Sequence, residues 1–179
     1  MLTYAKRGLI PAVTTDATVV DDPTNEFVVG GPGITVHEVT IPAGTNYARF
    51  SLFDDFTDGA DDLDMYVHNS AGTLVGASGG GTSAEEVNLV NPAAGTYKVS
   101  VHGWQTDGPD AKYTLFSWVL GGTDAGNMTV TGPATATIGG TATINLSWTG
   151  LTAGKKYLGQ VGYVADGTEQ ANTVVRIDG

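Results

Sequence analysis

The chain has 179 residues, no cysteine, and 8 basic against 19 acidic side chains, a net charge of −11. That balance argues against a nucleic-acid partner, whose phosphates need a basic face, and against anionic membranes. The missing thiols exclude disulfides, zinc ribbons and cysteine nucleophiles, and no run of 18 apolar residues is present to span a bilayer.

In chain order, residues 1–22 read as a lead-in, in which only 3–10 could form a short helix. Strand patterning then begins. Residues 34–41 come first, followed by Ala48, Phe50 and Leu52, which alternate with Arg49 and Ser51. Leu63, Met65 and Val67 alternate with Asp64 and Tyr66, and Tyr97, Val99 and Val101 with Lys98 and Ser100. A period of two, rich in β-branched and aromatic residues, predicts half-buried strands. Residues 73–77, 86–90 and 112–120 add further strands, separated by turn sequences such as Asn69-Ser70-Ala71-Gly72 and Asn91-Pro92-Ala93-Ala94-Gly95. The stretch Gly121-Gly122-Thr123-Asp124-Ala125-Gly126 reads as a linker, and strands resume at 127–131, 144–148, 156–164 and 172–177.

Charge changes at the same place. Residues 1–121 carry five basic and 15 acidic side chains, and residues 122–179 carry three and four. The expected organisation is therefore an all-β protein with a lead-in over 1–22, a sandwich of antiparallel strands over 23–121 and a small second sandwich over 122–179.

The densest chemical feature is Asp54-Asp55-Phe56-Thr57-Asp58-Gly59-Ala60-Asp61-Asp62-Leu63-Asp64. Crowded carboxylates raise one another's pKa unless a cation neutralises them, and calcium takes oxygen ligands from such loops. The spacing is not that of an EF-hand. Asp58, Asp61, Asp62 and Asp64 are the candidate ligands of a calcium ion, the alternative being a solvated acidic surface. Asp62 and Asp64, two apart on a strand, share the face opposite Leu63 and Met65. Catalytic carboxylates would need an acid and a base in different environments, which nothing in the pattern provides.

Gly81-Thr82-Ser83-Ala84 is similar to the nucleophile segment of subtilisin-like proteases, but strand patterning follows Ser83 and no histidine stands in a matching motif. Ser83 is expected to be a loop residue and the chain to lack catalytic groups. His37, His68 and His102 have no paired metal-ligand spacing and read as polar positions on a sheet. Phe116 and Trp118 share one strand face and read as core. Trp104, before Gln105-Thr106-Asp107-Gly108-Pro109, sits at a hairpin mouth; with Tyr66 it is a candidate ligand contact.

Asp62-Leu63-Asp64-Met65-Tyr66-Val67 resembles the Asp-x-Asp-Leu-Tyr-Val strand of bacterial pre-peptidase C-terminal domains. The glycine/serine-rich loop from Ser78 to Ser83 follows, then Glu86-Val87-Asn88-Leu89 and Ala94-Gly95-Thr96-Tyr97-Lys98-Val99-Ser100-Val101, similar to that family's Ala-Gly-Thr-Tyr signature. Tyr113-Thr114-Leu115 resembles its closing strand. The tail, from Gly126-Asn127-Met128 through Trp148-Thr149-Gly150-Leu151 to Asn172-Thr173-Val174-Val175, looks like an immunoglobulin- or fibronectin-III-like module of secreted subtilases. The resemblance implies a jelly-roll-like first domain and an extracellular home. It also implies an accessory, non-catalytic role beside the protease domain of the same polypeptide and its protein substrate. A monomer is expected. The alternative is a free-standing module that binds carbohydrate or fibrous protein through Trp104 and its neighbours.

Overall fold

The computed structural model describes residues 1–179, of which 58% are strand and 2% helix. The fold is all-β, as expected. It divides into two compact units. The larger is Val13–Val119, and the smaller combines Met1–Ala12 with Leu120–Gly179.

The larger unit contains β2 (Val13–Val20), β3 (Ile34–Ile41), β4 (Tyr47–Leu52), β5 (Asp62–His68), β6 (Leu74–Ser78), β7 (Glu85–Val90), β8 (Gly95–Gln105) and β9 (Asp110–Leu120). They form two four-stranded sheets in the orders β2-β9-β4-β7 and β3-β8-β5-β6. Except for the β5-β6 hairpin, successive strands thus pass between the two sheets, in a jelly-roll-like arrangement. The alternation read from the sequence decides which side chains fill the sandwich. Phe50, Leu63, Met65, Val67, Val99 and Val101 are all fully buried between the sheets. Each such side chain contributes about 1.5–3 kcal/mol by leaving water.

Phe116 and Trp118 share a face and are buried, but not in that inter-sheet cluster. Tyr113 and Leu115 take the inward positions of β9. Phe116 packs edge-on against Phe53 and Phe56, the latter closing a single 3₁₀ turn at Asp54–Phe56.

The smaller unit contains β1 (Leu2–Pro11), β10 (Met128–Thr131), β11 (Asn145–Trp148), β12 (Lys156–Ala165) and β13 (Thr168–Asp178). β12 lies between β1 and β13 in one sheet, and β10 pairs with β11 in another. Its core is small: Leu9, Met128, Tyr157 and Val161, flanked by half-buried Tyr4, Val130 and Leu146.

Residues 1–22 are therefore not a lead-in, and 3–10 are not helical. They form two strands, one in each unit. The physical reason is long-range pairing. Lys6 Nζ donates to the Met128 carbonyl and Arg7 pairs with Glu169 at 2.7 Å, so basic residues that interrupt the local pattern are satisfied by chain more than a hundred positions away. The glycine-rich stretch after β9 is likewise tied down, by Gly8 N–H to the Thr123 carbonyl and Ala125 N–H to the Gly8 carbonyl.

Candidate functional site

The acidic segment enters β5, and strand geometry distributes its carboxylates. Leu63 and Met65 point into the sandwich, and Asp62 and Asp64 take the opposite face, as their spacing requires. Asp64 lies directly across from His102 on β8. It is buried, and its carboxyl is pushed up to about 6, first by burial and then by repulsion from Asp62 and Glu85, with His102 opposing. Burial also raises Asp62.

The preceding turn makes a second acidic group. Asp58 Oδ1 accepts from Lys112 N–H at 3.0 Å, and Asp61 Oδ1 accepts from Asp107 N–H at 2.7 Å. Gly59 permits this approach, because a Cβ there would stand 2.8 Å from the Asp107 Cβ. Burial raises Asp61, with Asp58 and Asp107 adding repulsion. Ser83 fixes the turn to the strand. Its fully buried hydroxyl donates to the Asp61 carbonyl at 2.9 Å and accepts from Leu63 N–H at 3.3 Å.

Three of the four candidate ligands keep a buried oxygen with no hydrogen-bond partner: Asp61 Oδ2, Asp62 Oδ1 and Asp64 Oδ1. Hard oxygen donors of this kind suit calcium. No three aspartate, glutamate or histidine side chains are gathered at the spacing of a metal shell, so side chains alone do not complete one.

Glu85 and Asp107 also belong to these groups, beyond the residues singled out in sequence. Glu85 had a legible signal: it alternates with Val87 and Leu89 and so points inward. It binds Ser78 Oγ and accepts from Gly80 N–H at 2.6 Å. Asp107 has no such signal, since only folding brings its hairpin to the turn.

The same sheet face carries a buried pair. His102 Nε2 donates to Asp22 Oδ2 at 2.7 Å with both side chains fully buried. That bond is the main reason the Asp22 carboxyl is held down to about 2, with Thr24 adding to it. Gly33, at φ +66°, makes room for Asp22, whose Cβ would lie 2.5 Å from any side chain there. Phe27, from the same segment, stacks on Tyr66 with ring centroids 3.8 Å apart. Tyr66 is thus half-buried behind Phe27, and Trp104 is 37% exposed near the end of β8. No ring contact joins the two. His37 bonds the Tyr113 hydroxyl at 2.7 Å.

Residues 34–103 match the bacterial pre-peptidase C-terminal domain. The match spans β3 to β8 and includes the Asp62–Asp64 strand and Ser83. Tyr113-Thr114-Leu115, the expected closing strand, lies outside it. That domain is a non-catalytic one. Among curated proteins, pyrolysin of Pyrococcus furiosus is 31% identical over 91 residues, 51% of this chain but 6% of that protein's length. Among solved structures, the tripod (BppUct-A-L) from the baseplate of bacteriophage Tuc2009 aligns over 92% of this chain and 97% of its own. Its 9% identity and TM-score of 0.22 carry no argument about the fold. No helix of the chain is long and apolar enough to cross a membrane.

Proposed function

We propose that the chain is a non-catalytic accessory region of a secreted, subtilisin-like serine protease. In this reading the larger unit is a pre-peptidase C-terminal domain and the smaller an immunoglobulin- or fibronectin-III-like module. It acts beside the protease domain of its own polypeptide, outside the cell, by stabilising it, aiding its secretion or holding its protein substrate. The carrying observation is the family match over 34–103, supported by the similarity to pyrolysin. The test is to append the chain to a subtilisin-like catalytic domain and compare secreted yield and half-life at elevated temperature with the catalytic domain alone. Equal yield and equal half-life, with unchanged turnover of protein substrates, would defeat the reading.

Calcium belongs to the same proposal. Asp61, Asp62 and Asp64 would supply carboxylate oxygens, Asp58 would assist from the turn, and backbone carbonyls and waters would complete the shell. A bound cation would offset both the burial and the repulsion from Asp62 and Glu85 that raise Asp64. At a hundredfold excess over its dissociation constant it stabilises the fold by about 2.7 kcal/mol. Melting should therefore rise in millimolar calcium relative to EDTA, with magnesium as control, and the rise should vanish in the Asp62→Asn, Asp64→Asn double variant. An unmoved midpoint returns the loop to a solvated acidic surface. A second reading, a free-standing carbohydrate- or fibrous-protein-binding module, is favoured only by the partial exposure of Trp104.

A further inference from the structure

The outer face of β5 and β8 holds three buried polar atoms without partners: Asp62 Oδ1, Asp64 Oδ1 and His102 Nδ1. A calcium ion accounts for the two carboxylate oxygens and leaves the ring nitrogen unexplained. His102 is fully buried, and its Nε2–H is committed to Asp22 Oδ2 at 2.7 Å. Asp22 is fixed in turn by Thr24, whose N–H and hydroxyl donate to Oδ1 at 2.9 and 2.7 Å. A proton held on Nε2 leaves Nδ1 as a bare lone pair, and burying such an acceptor without a partner costs stability. A carboxylate that grips one ring nitrogen while the other stays free is the support that metal-ligating histidines have. It sets the tautomer and raises the basicity of the free nitrogen.

A second ligand stands on the next strand. Asp64 pairs directly with His102 in the β5-β8 register. Residues so opposed share a sheet face with Cβ atoms about 5 Å apart, a span that one ion bridges. Gly79 keeps the space beside the carboxylate open, since a Cβ there would stand 3.3 Å from Asp64 Oδ1. His102 is near enough to Asp62 and Asp64 to act on both carboxyls electrostatically. Asp64 is buried but Asp62, two residues earlier on the same face, is only half-buried, which gives an ion a way in.

The donors select the ion. Calcium and magnesium take oxygen ligands, whereas an imidazole nitrogen beside a carboxylate suits a borderline divalent ion such as zinc. We propose that His102 Nδ1 and Asp64 Oδ1 bind a divalent ion of the zinc class, with Asp22 positioning the imidazole. Asp62 would add charge from the open side, and waters would complete the shell. Two protein ligands accord with the absence of any three-residue cluster at shell spacing. The site shares Asp62 and Asp64 with the calcium reading, adds a nitrogen, and does not need calcium to bind.

The test is long-range ¹H–¹⁵N correlation of the imidazole nitrogens in the full-length chain, titrated with zinc and, in parallel, with calcium. His37→Gln and His68→Gln assign the three rings. Zinc should move His102 Nδ1 saturably and leave the rings of His37 and His68 in place, and calcium should not give that nitrogen signal. Asp64→Asn replaces a repelled carboxylate by an amide of the same shape, so the fold should persist while zinc binding weakens at least about tenfold. Asp22→Asn should weaken zinc about 10–100-fold and let the ring present either nitrogen, which a mere loss of stability would not do. The proposal is overturned if His102 Nδ1 does not move by about 1 mM zinc. It is equally overturned if zinc moves His37 or His68 instead, or if Asp64→Asn binds zinc as tightly as wild type. A calcium-raised melting midpoint without the zinc signal leaves the calcium reading standing and removes this one. The zinc signal without a calcium effect does the reverse.

Discussion

The larger unit encloses sixteen buried apolar residues between two four-stranded sheets, whereas four occupy the smaller unit's core cluster. The larger unit is built from one continuous stretch of chain, the smaller from both ends of it. The difference teaches where stability resides. Burial grows with sheet area, so the jelly roll can carry unpaired carboxylates and a buried histidine–aspartate pair that a thin core could not offset. The smaller unit has no such reserve and depends on β1, whose Leu9 is a quarter of its central cluster.

Removing residues 1–12 should therefore have the largest effect. It takes away one of the three strands of the β1-β12-β13 sheet together with Leu9. The expected outcome is loss of NMR dispersion throughout 128–178 with the resonances of β3 to β8 unchanged. If 128–178 stay folded, the smaller unit's reliance on β1 is wrong. Next, Leu52→Ala and Leu9→Ala compare the two cores with identical chemistry. Such changes cost ~2–5 kcal/mol, depending on how far the site can collapse. Leu52, sealed between the sheets, should fall at the upper end and Leu9 at the lower, yet only Leu9→Ala should unfold its unit at 37 °C. Denaturant titrations read separately from each unit's amide signals check both.

Much of this contrast was legible in the sequence. The two-residue period of Leu63, Met65 and Val67 and of Tyr97, Val99 and Val101 places β5 and β8 in register with their observed burial, and it puts Asp62 and Asp64 on the outer face. What local patterning cannot carry is pairing across long separations. β1 and β2 are strands because β12 and β9 accept them, over 100 residues or nearly so away. Asp22 and His102 meet 80 residues apart, and Asp107 reaches Asp61 from 46 away. Asp22, His102 and Asp61 look like surface until the fold covers them, and Asp107 stays exposed while its backbone N–H reaches Asp61.

The Asp22–His102 pair gives a pH prediction for the larger unit only. With its carboxyl held down to about 2 against an ordinary 3.8, Asp22 is ionised in the fold at pH values where the unfolded chain takes up a proton. Its contribution is complete above about pH 4 and is lost as pH falls towards 2. The melting midpoint of the larger unit should thus drop across that window, and Asp22→Asn should flatten the drop while lowering the midpoint at pH 7. An equal slope in wild type and variant would remove Asp22 from the account of acid sensitivity.

Ser83 gives the smallest effect and separates scaffold from chemistry. Its hydroxyl serves Leu63 N–H and the Asp61 carbonyl within a buried corner. Alanine leaves that donor and acceptor without their partner, a loss of about 1–3 kcal/mol. The cost should appear as a lower denaturant midpoint at an unchanged m-value, and Ser83→Thr should recover part of it if the added methyl group can be housed. A calcium titration of the alanine variant then sharpens the comparison between turn and strand. Because Ser83 joins Asp61 to the start of β5, its loss should weaken any calcium stabilisation more than Trp104→Ala does. A fluorophosphonate probe completes the test. A nucleophile would be labelled in wild type and not in Ser83→Ala, whereas a buried structural hydroxyl leaves both unlabelled while the stability difference persists.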